Sequence, residues 1–204
     1  MLTLKERFLN LPNYITFGRL LVVFVLMILM AFMNDGGATY KETNRILSYT
    51  SAIIFLLGML SDIVDGYLAR RKKIVSTFGK FFDPLADKLA FLVVMIQMTA
   101  LGRIPAWMVS IFLAREVIVT ALRGIAIDEG IVIAASNGGK YKTVFVTIAT
   151  MALMIHYPLW GIQWRLIGWV FIGPALFFSI LSGVQYTWGF VQELKKMERD
   201  SQKR

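Results

Sequence analysis

Six apolar stretches follow one another along this chain, at 14–34, 46–67, 82–101, 105–127, 141–158 and 166–190. The hydrocarbon core of a bilayer is ~30 Å thick, and a helix needs roughly 20 residues to cross it. Backbone N–H and C=O groups find no water there, so only helices and closed barrels can span it. Runs this long and this apolar predict helices. The third and fourth are weakened by internal charges, among them Asp83, Asp87, Arg115 and Glu116, and the other four are the strong ones. Charged residues make up 17% of the chain and hydrophobic ones 57%, where a soluble domain carries about a quarter charged. The expected fold is therefore all-α: a polytopic membrane protein with six transmembrane helices.

Residues 1–13 place Leu4, Phe8 and Leu11 at i, i+4 and i+7, with Lys5, Glu6 and Arg7 between them. That spacing predicts a short helix lying in the membrane interface. The apolar run that follows is too long for a signal-peptide core and has no small-residue cleavage site after it, so it reads as a retained anchor. The expected organisation is a single domain over 1–204, with an interfacial helix at 1–13, a six-helix bundle at 14–190 and a charged tail at 191–204. Residues 128–139 are the one loop of any size. The chain has no cysteine, which excludes disulfides, a thiol nucleophile and a zinc–thiolate site. The lone histidine, His156, reads as an interfacial packing residue.

Of the 22 lysines and arginines, 18 fall in segments on the side of the two termini, and only Lys41, Arg45, Arg103 and Arg165 fall on the other. Positive charge marks the cytoplasmic side, so both termini are expected in the cytoplasm and the chain in the cell (inner) membrane. The net charge of +9 then reads as topology and attraction to anionic lipid. No basic stripe is interleaved with exposed aromatics, which excludes nucleic acid as a partner. Trp107, Trp160, Trp164 and Trp188 lie near span ends, where interface anchors belong.

Against this apolar background stands SDIVDGYLARRKKIVSTFGKFFDPLADK, residues 61–88, with four aspartates between the second and third spans. Asp62, Asp65, Gly66 and Ala69 recur at i, i+3, i+4 and i+7, one face of a helix; Gly79, Asp83 and Asp87 recur at i, i+4 and i+8 on the next. The basic stretch 69–80 reads as the cytoplasmic turn that folds the two helices together. Clustered carboxylates repel and would be pushed toward their neutral form without a partner. Oxygen-only donors suit Mg²⁺, Mn²⁺ or Ca²⁺. Four are enough for two ions, which can clamp the attacking and leaving oxygens of a displacement at phosphorus. Gly66 and Ala69 leave that face without bulk, and Arg70 offers a fork to phosphate oxygens. A buried polar network, a proton relay or a cation transporter would also use intramembrane acids.

The pattern Asp62-x2-Asp65-Gly66-x2-Ala69-Arg70-x8-Gly79-x3-Asp83-x3-Asp87 resembles the signature of the CDP-alcohol phosphotransferases, with every position matched. The resemblance implies a six-helix membrane enzyme, generally a homodimer, that needs two Mg²⁺ or Mn²⁺ ions. It implies transfer of a phosphatidyl group from a CDP-linked lipid to an alcohol, with release of CMP. Carried over, Asp62, Asp65, Asp83 and Asp87 would hold the metals, and Asp87 would deprotonate the acceptor hydroxyl. Gly66, Ala69, Arg70 and Gly79 would surround the CDP moiety.

Three further stretches bear on the acceptor. Asn13-Tyr14-Ile15-Thr16-x2-Arg19, Ala114-Arg115-Glu116 and Gly139-Lys140-Tyr141-Lys142-Thr143 resemble the phosphatidylglycerophosphate synthases within that family, which adds Asn13 and Thr16 to the CDP site. Arg115 lies near the middle of the fourth span, where a charge is costly unless it faces a polar cavity. Lys140 and Lys142 open the fifth span at a helix N-terminus, a ready anion site. An acceptor carrying its own phosphate would use all three; serine or choline would not need them. The expected partners are therefore CDP-diacylglycerol and glycerol 3-phosphate, with inositol phosphate the other phosphorylated acceptor. Against this, Arg115 could simply pair with Glu116 or an aspartate. Lys140 and Lys142 could be positive flanks of a span, and Arg123 reads as topological.

Overall fold

In a computed structural model of the chain, the backbone is described for residues 11–34, 41–72, 77–131 and 137–202. Side chains are described for these apart from 11–17, 19, 62–87, 137 and 201–202. Six helices account for nearly all of it: α1 (Leu11–Ala31), α2 (Lys41–Lys72), α3 (Thr77–Ala100), α4 (Ala106–Asp128), α5 (Asn137–Ile155) and α6 (Trp164–Gln202). No strand occurs among the described residues.

Each helix takes in most of one apolar stretch and runs past it at one end or both. The interfacial helix expected at 1–13 falls largely on residues outside those described; Leu11, Pro12 and Asn13 already belong to α1. A proline in an opening turn is well placed, because its missing N–H would have had no intrahelical partner. α5 opens at Asn137, inside the loop expected at 128–139. The charged segment 191–202 continues α6 without a break. At 1.5 Å per residue the 39 residues of α6 extend ~58 Å, about twice the thickness of a bilayer core.

Two compact units divide the chain, one of residues 1–104 with 153–165 and one of 105–152 with 166–204. In the first, α1 packs against both α2 and α3. Its interior is rich in methionine: Met30, Met95 and Met98 are fully buried beside Leu26 and Val94. Unbranched thioether side chains fill irregular gaps between helices well.

That interior also holds an arginine. Arg103, counted from the sequence as a charge on the far face, is buried, with 2% of its surface exposed. Nη1 donates to the Met154 carbonyl at 2.9 Å and Nη2 to Ser48 Oγ at 2.9 Å, and the guanidinium lies 5.7 Å from the Tyr157 ring. The end of α3 explains the inward turn. Gly102 has φ +69°, Arg103 N donates back to Met98 O and Gly102 N to Thr99 O. This is a Schellman cap, whose last residue folds onto the helix it ends. α4 ends the same way in the second unit, with Gly130 at φ +68° and Ile131 N donating to Ala126 O.

His156 ends α5 with φ +57°, its ring edge-on to Tyr157 at 5.2 Å. The hairpin that follows is pinned to α2 by Tyr49, whose hydroxyl donates to Pro158 O at 2.8 Å.

In the second unit α5 lies on α6 through aromatic contacts. Phe145 stacks on Phe178 with centroids 5.4 Å apart, and Tyr141 meets the same ring at 5.5 Å. Ala126 and Ile131 close on Phe190 of α6, with Leu122 and Leu194 packed around them. Small buried residues, Ala149 and Ala152 on α5 and Ala175, Ser179 and Ser182 on α6, let the backbones approach closely, as in membrane bundles.

Large apolar side chains also cover the outside. Phe24, Phe32, Ile53, Leu57, Val117, Val170, Phe177 and Val184 are all more than half exposed. An apolar exterior of this kind suits lipid rather than water. Two stretches, Lys41–Ser61 and Trp164–Asp200, are long and apolar enough to cross a membrane, and Leu20–Ala31 and Lys88–Ala100 are shorter apolar helices. α4 and α5 carry charges at Arg115, Glu116, Lys140 and Lys142 within their lengths.

Candidate active site

The acidic signature lies wholly on helix. Asp62, Asp65, Gly66, Ala69 and Arg70 occupy the last three turns of α2, and Gly79, Asp83 and Asp87 the first three of α3. The segment 69–80, expected as a turn, is largely helical: α2 runs to Lys72 and α3 starts at Thr77. Positions 62, 65, 66 and 69 of a continuous helix share a face, as do 79, 83 and 87. Asp62 stands ten residues before the end of α2 and Asp87 ten after the start of α3, ~15 Å along each axis. Asp65 and Asp83 stand seven and six residues from the same ends. The four positions thus fall at two matched levels, measured from the ends the chain joins. The side chains of all these residues lie outside those described, as do Asn13 and Thr16 in the opening turns of α1. As a donor set, four carboxylates with no histidine or cysteine among them fit a hard divalent cation.

A second cluster sits in the other unit, and its side chains are described. Arg115 stands mid-way along α4, next to Glu116. Arg115 Nη1 donates to Glu116 Oε1 at 2.9 Å. Lys142, on α5, donates its Nζ to the same oxygen. Only 12–15% of these three side chains is exposed. Arg115 Nη2 donates to Ser182 Oγ on α6 at 3.0 Å, and that hydroxyl in turn donates to Ser179 O at 3.1 Å. Arg115 Nε is buried with no acceptor among the described residues. α4, α5 and α6 thus each send a polar group to one point inside an otherwise apolar unit. The cost of a charge in an apolar interior is offset by opposite charge and hydrogen bonds.

Of the three residues expected to bind an acceptor phosphate, the structure brings Arg115 and Lys142 together and leaves Lys140 exposed. The reason is helical geometry: residues two apart project about 200° apart, so Lys140 and Lys142 cannot both face Glu116. Arg123, two turns beyond Arg115, is exposed, with its guanidinium 5.9 Å from the Tyr186 ring. Sequence reading raised Glu116 as part of the stretch Ala114-Arg115-Glu116 and as a partner for Arg115, gave it no role at the site, and missed Ser182 and Gly183 altogether. A carboxylate beside an arginine in the middle of an apolar stretch was the available signal for Glu116; nothing in the sequence marked Ser182.

Comparison with known proteins speaks to the whole chain. The family model for CDP-alcohol phosphatidyltransferase matches residues 9–181, a range that takes in the acidic signature, Arg115, Glu116 and Lys142. A CDP-diacylglycerol–glycerol-3-phosphate 3-phosphatidyltransferase of Bacillus subtilis is 38% identical over 183 residues, covering 87% of this chain and 93% of that protein. One of the same name from Rickettsia felis is 32% identical over 178 residues, covering 87% and 93%. A probable phosphatidylglycerophosphate synthase of Mycobacterium tuberculosis is 35% identical over 182 residues, covering 89% and 82%. With its signature on two successive helices and similarity running nearly end to end, this chain belongs to the CDP-alcohol phosphatidyltransferase family.

Proposed function

We propose that the chain transfers the phosphatidyl group of CDP-diacylglycerol to sn-glycerol 3-phosphate, giving phosphatidylglycerol phosphate and CMP. The observation that carries the reaction is the acidic signature at matched levels of α2 and α3. The acceptor is supported by the names of the relatives and by the convergence of Arg115 and Lys142, two cations suited to an alcohol that carries its own phosphate.

In this reading a glycerol hydroxyl oxygen attacks the lipid-linked phosphorus of CDP-diacylglycerol. A P–O bond forms to the acceptor, the P–O bond to CMP breaks, and the hydroxyl proton passes to the carboxylate of Asp87. Asp62, Asp65, Asp83 and Asp87 would hold two Mg²⁺ or Mn²⁺ ions, which when bound supply positive charge to the diphosphate and the departing CMP. Asn13, Thr16, Gly66, Ala69, Arg70 and Gly79 contact the CDP moiety, the small residues by leaving room for it. Arg115 and Lys142 hold the acceptor's phosphate, and Lys140 adds positive charge at the start of α5. The protein's contribution is positioning and electrostatics.

The same reading places the chain in the cell membrane as six spans, with both termini and the site on the cytoplasmic side, as a homodimer. The charge asymmetry and the apolar exterior support the spans and their orientation; the dimer rests on family resemblance. The test is CMP release by the purified protein in detergent micelles with CDP-diacylglycerol and a divalent ion, against glycerol 3-phosphate, inositol phosphate, serine and choline. Turnover is expected with glycerol 3-phosphate. Turnover with inositol phosphate alone would overturn the acceptor. Metal-dependent ion flux in liposomes without CMP release would overturn the reaction.

A further inference from the structure

Two cations held close together in an apolar interior repel each other, and left alone they would move apart. In the second unit one oxygen prevents this: Glu116 Oε1 accepts from both Arg115 Nη1 and Lys142 Nζ. The guanidinium is restrained from α6 as well. Ser182 Oγ takes Nη2, and Gly183 presents so little bulk that a Cβ there would stand 3.1 Å from Arg115 Cγ. With both terminal nitrogens engaged by protein, Nε remains buried and without an acceptor among the described residues. Planar guanidinium forks match phosphate in a bidentate geometry whose specificity depends on their orientation, and this one is held from two helices.

We infer that Glu116 is the positioning residue of the acceptor site, fixing Arg115 and Lys142 side by side so that both charges meet one phosphate monoester. It touches no substrate. The inference rests on the proposed reaction, since it takes the acceptor to carry a phosphate. The sign of one substitution separates positioning from simple electrostatics. Glu116→Gln removes a negative charge from the neighbourhood of an anion. Were the site only a reservoir of positive charge, the variant would bind the acceptor more tightly. Were Glu116 the organiser, the variant would bind it more weakly despite the added charge.

The experiment measures CMP release by the full-length protein in detergent micelles with CDP-diacylglycerol and Mg²⁺ or Mn²⁺. It compares wild type with Glu116→Gln, Glu116→Asp and Ser182→Ala, each first shown by size exclusion to be folded. For Glu116→Gln the KM for glycerol 3-phosphate should rise about tenfold or more, with kcat falling far less and the KM for CDP-diacylglycerol unmoved. Competition by inorganic phosphate should weaken in step. Glu116→Asp should recover part of the loss. Ser182→Ala, which loosens the guanidinium from α6 alone, should raise the acceptor KM by about threefold. An acceptor KM that is unchanged or lowered in Glu116→Gln overturns the inference, as does an equal loss toward both substrates. If Glu116→Gln does not fold, an unmoved acceptor KM in Ser182→Ala overturns it instead. Wild-type protein that turns over no phosphorylated alcohol would overturn the reaction and this inference together, whereas normal wild-type turnover with an indifferent Glu116→Gln would overturn the inference alone.

Discussion

Gly183 of α6 and Arg115 of α4 are packed so closely that a methyl group on the glycine would stand 3.1 Å from Arg115 Cγ. Few side-chain contacts are that short, so either the helix or the arginine must shift by a few tenths of an ångström. Both are parts of a packed unit, and the arginine is also held by Glu116 and Ser182. Gly183→Ala should therefore displace the guanidinium and lower kcat/KM for glycerol 3-phosphate by about three- to tenfold, mostly in KM. Gly173, ten residues earlier on the same helix, is the control, because a Cβ there meets nothing within 4 Å. Alanine is the better helix former by about 0.5–1 kcal/mol, so Gly173→Ala should be neutral or slightly stabilising. Equal kinetics for the two variants would show that the close contact has no bearing on the acceptor.

Arg103 offers the corresponding test of stability in the first unit. Its two terminal nitrogens reach the Met154 carbonyl and the Ser48 hydroxyl in different directions. Arg103→Met keeps the aliphatic bulk but strands both acceptors in a buried place, a loss of about 2–4 kcal/mol. Arg103→Lys should not restore it, because a single ammonium on a flexible stem cannot match a planar fork aimed at two acceptors. The measurement is thermal unfolding in detergent: both variants should unfold well below wild type, and CMP release per folded molecule should be preserved. A variant with a wild-type midpoint would remove Arg103 from the list of groups that stabilise this fold.

The helices were legible because their signal is a long-range one: twenty apolar residues in a row leave few alternatives. Their ends were not, because they depend on local chemistry that an apolar run does not record. Charged residues continue α6 through 191–202, and α2 runs to Lys72 although Arg70, Arg71 and Lys72 read as turn. The inward turn of Arg103 did have a sign in the sequence: Gly102 just past an apolar run suggests a left-handed cap, and the residue after such a glycine folds back on its own helix. Counting charges by loop overlooked it. The helical placement of the acidic positions was legible, since spacing alone puts Asp62 with Asp65 and Asp83 with Asp87; their side chains lie outside those described. Selecting Lys142 over Lys140 needed the rotation of α5, and Ser182 needed a third helix whose contact with α4 no spacing records.

The hairpin between α5 and α6 carries a conflict between backbone and side chain. Leu159 and Ile162 exchange hydrogen bonds at 3.2 and 3.1 Å across Trp160 and Gly161, whose φ angles are +54° and +75°. Such two-residue turns favour Asn-Gly because both central residues are left-handed. A bulky Trp at the first position costs about 1–2 kcal/mol, and with 86% of its surface exposed it wins nothing back by packing within the protein. Trp160→Asn should therefore raise the unfolding midpoint in detergent, while Gly161→Ala should lower it by the equivalent of about 1 kcal/mol. If Trp160→Asn lowers the midpoint instead, the indole is held by amphiphile around the protein, as an interface anchor would be.

The acidic signature yields the prediction on which the proposed reaction stands. Asp83 and Asp87 sit one helical turn apart on α3, six and ten residues from its start, and Asp65 and Asp62 stand seven and ten residues before the end of α2. Asparagine has nearly the volume of aspartate but neither its charge nor its basicity. In the proposed reaction Asp83→Asn would remove a metal-binding charge and Asp87→Asn both a ligand and the base, so each should lower CMP release by about a hundredfold or more. Relieving carboxylate repulsion should meanwhile leave the midpoint of unfolding at or above wild type in the absence of divalent ions. Chelation should silence the wild-type protein, and Mg²⁺ or Mn²⁺ should restore it. Added divalent ion should also raise the wild-type unfolding midpoint, by mass action on the folded state, and should do so less in either variant. That last measurement needs no substrate, so it asks whether these positions bind metal at all. A midpoint shift of wild-type size in both variants, together with near-normal turnover, would leave the four aspartates without the role assigned to them.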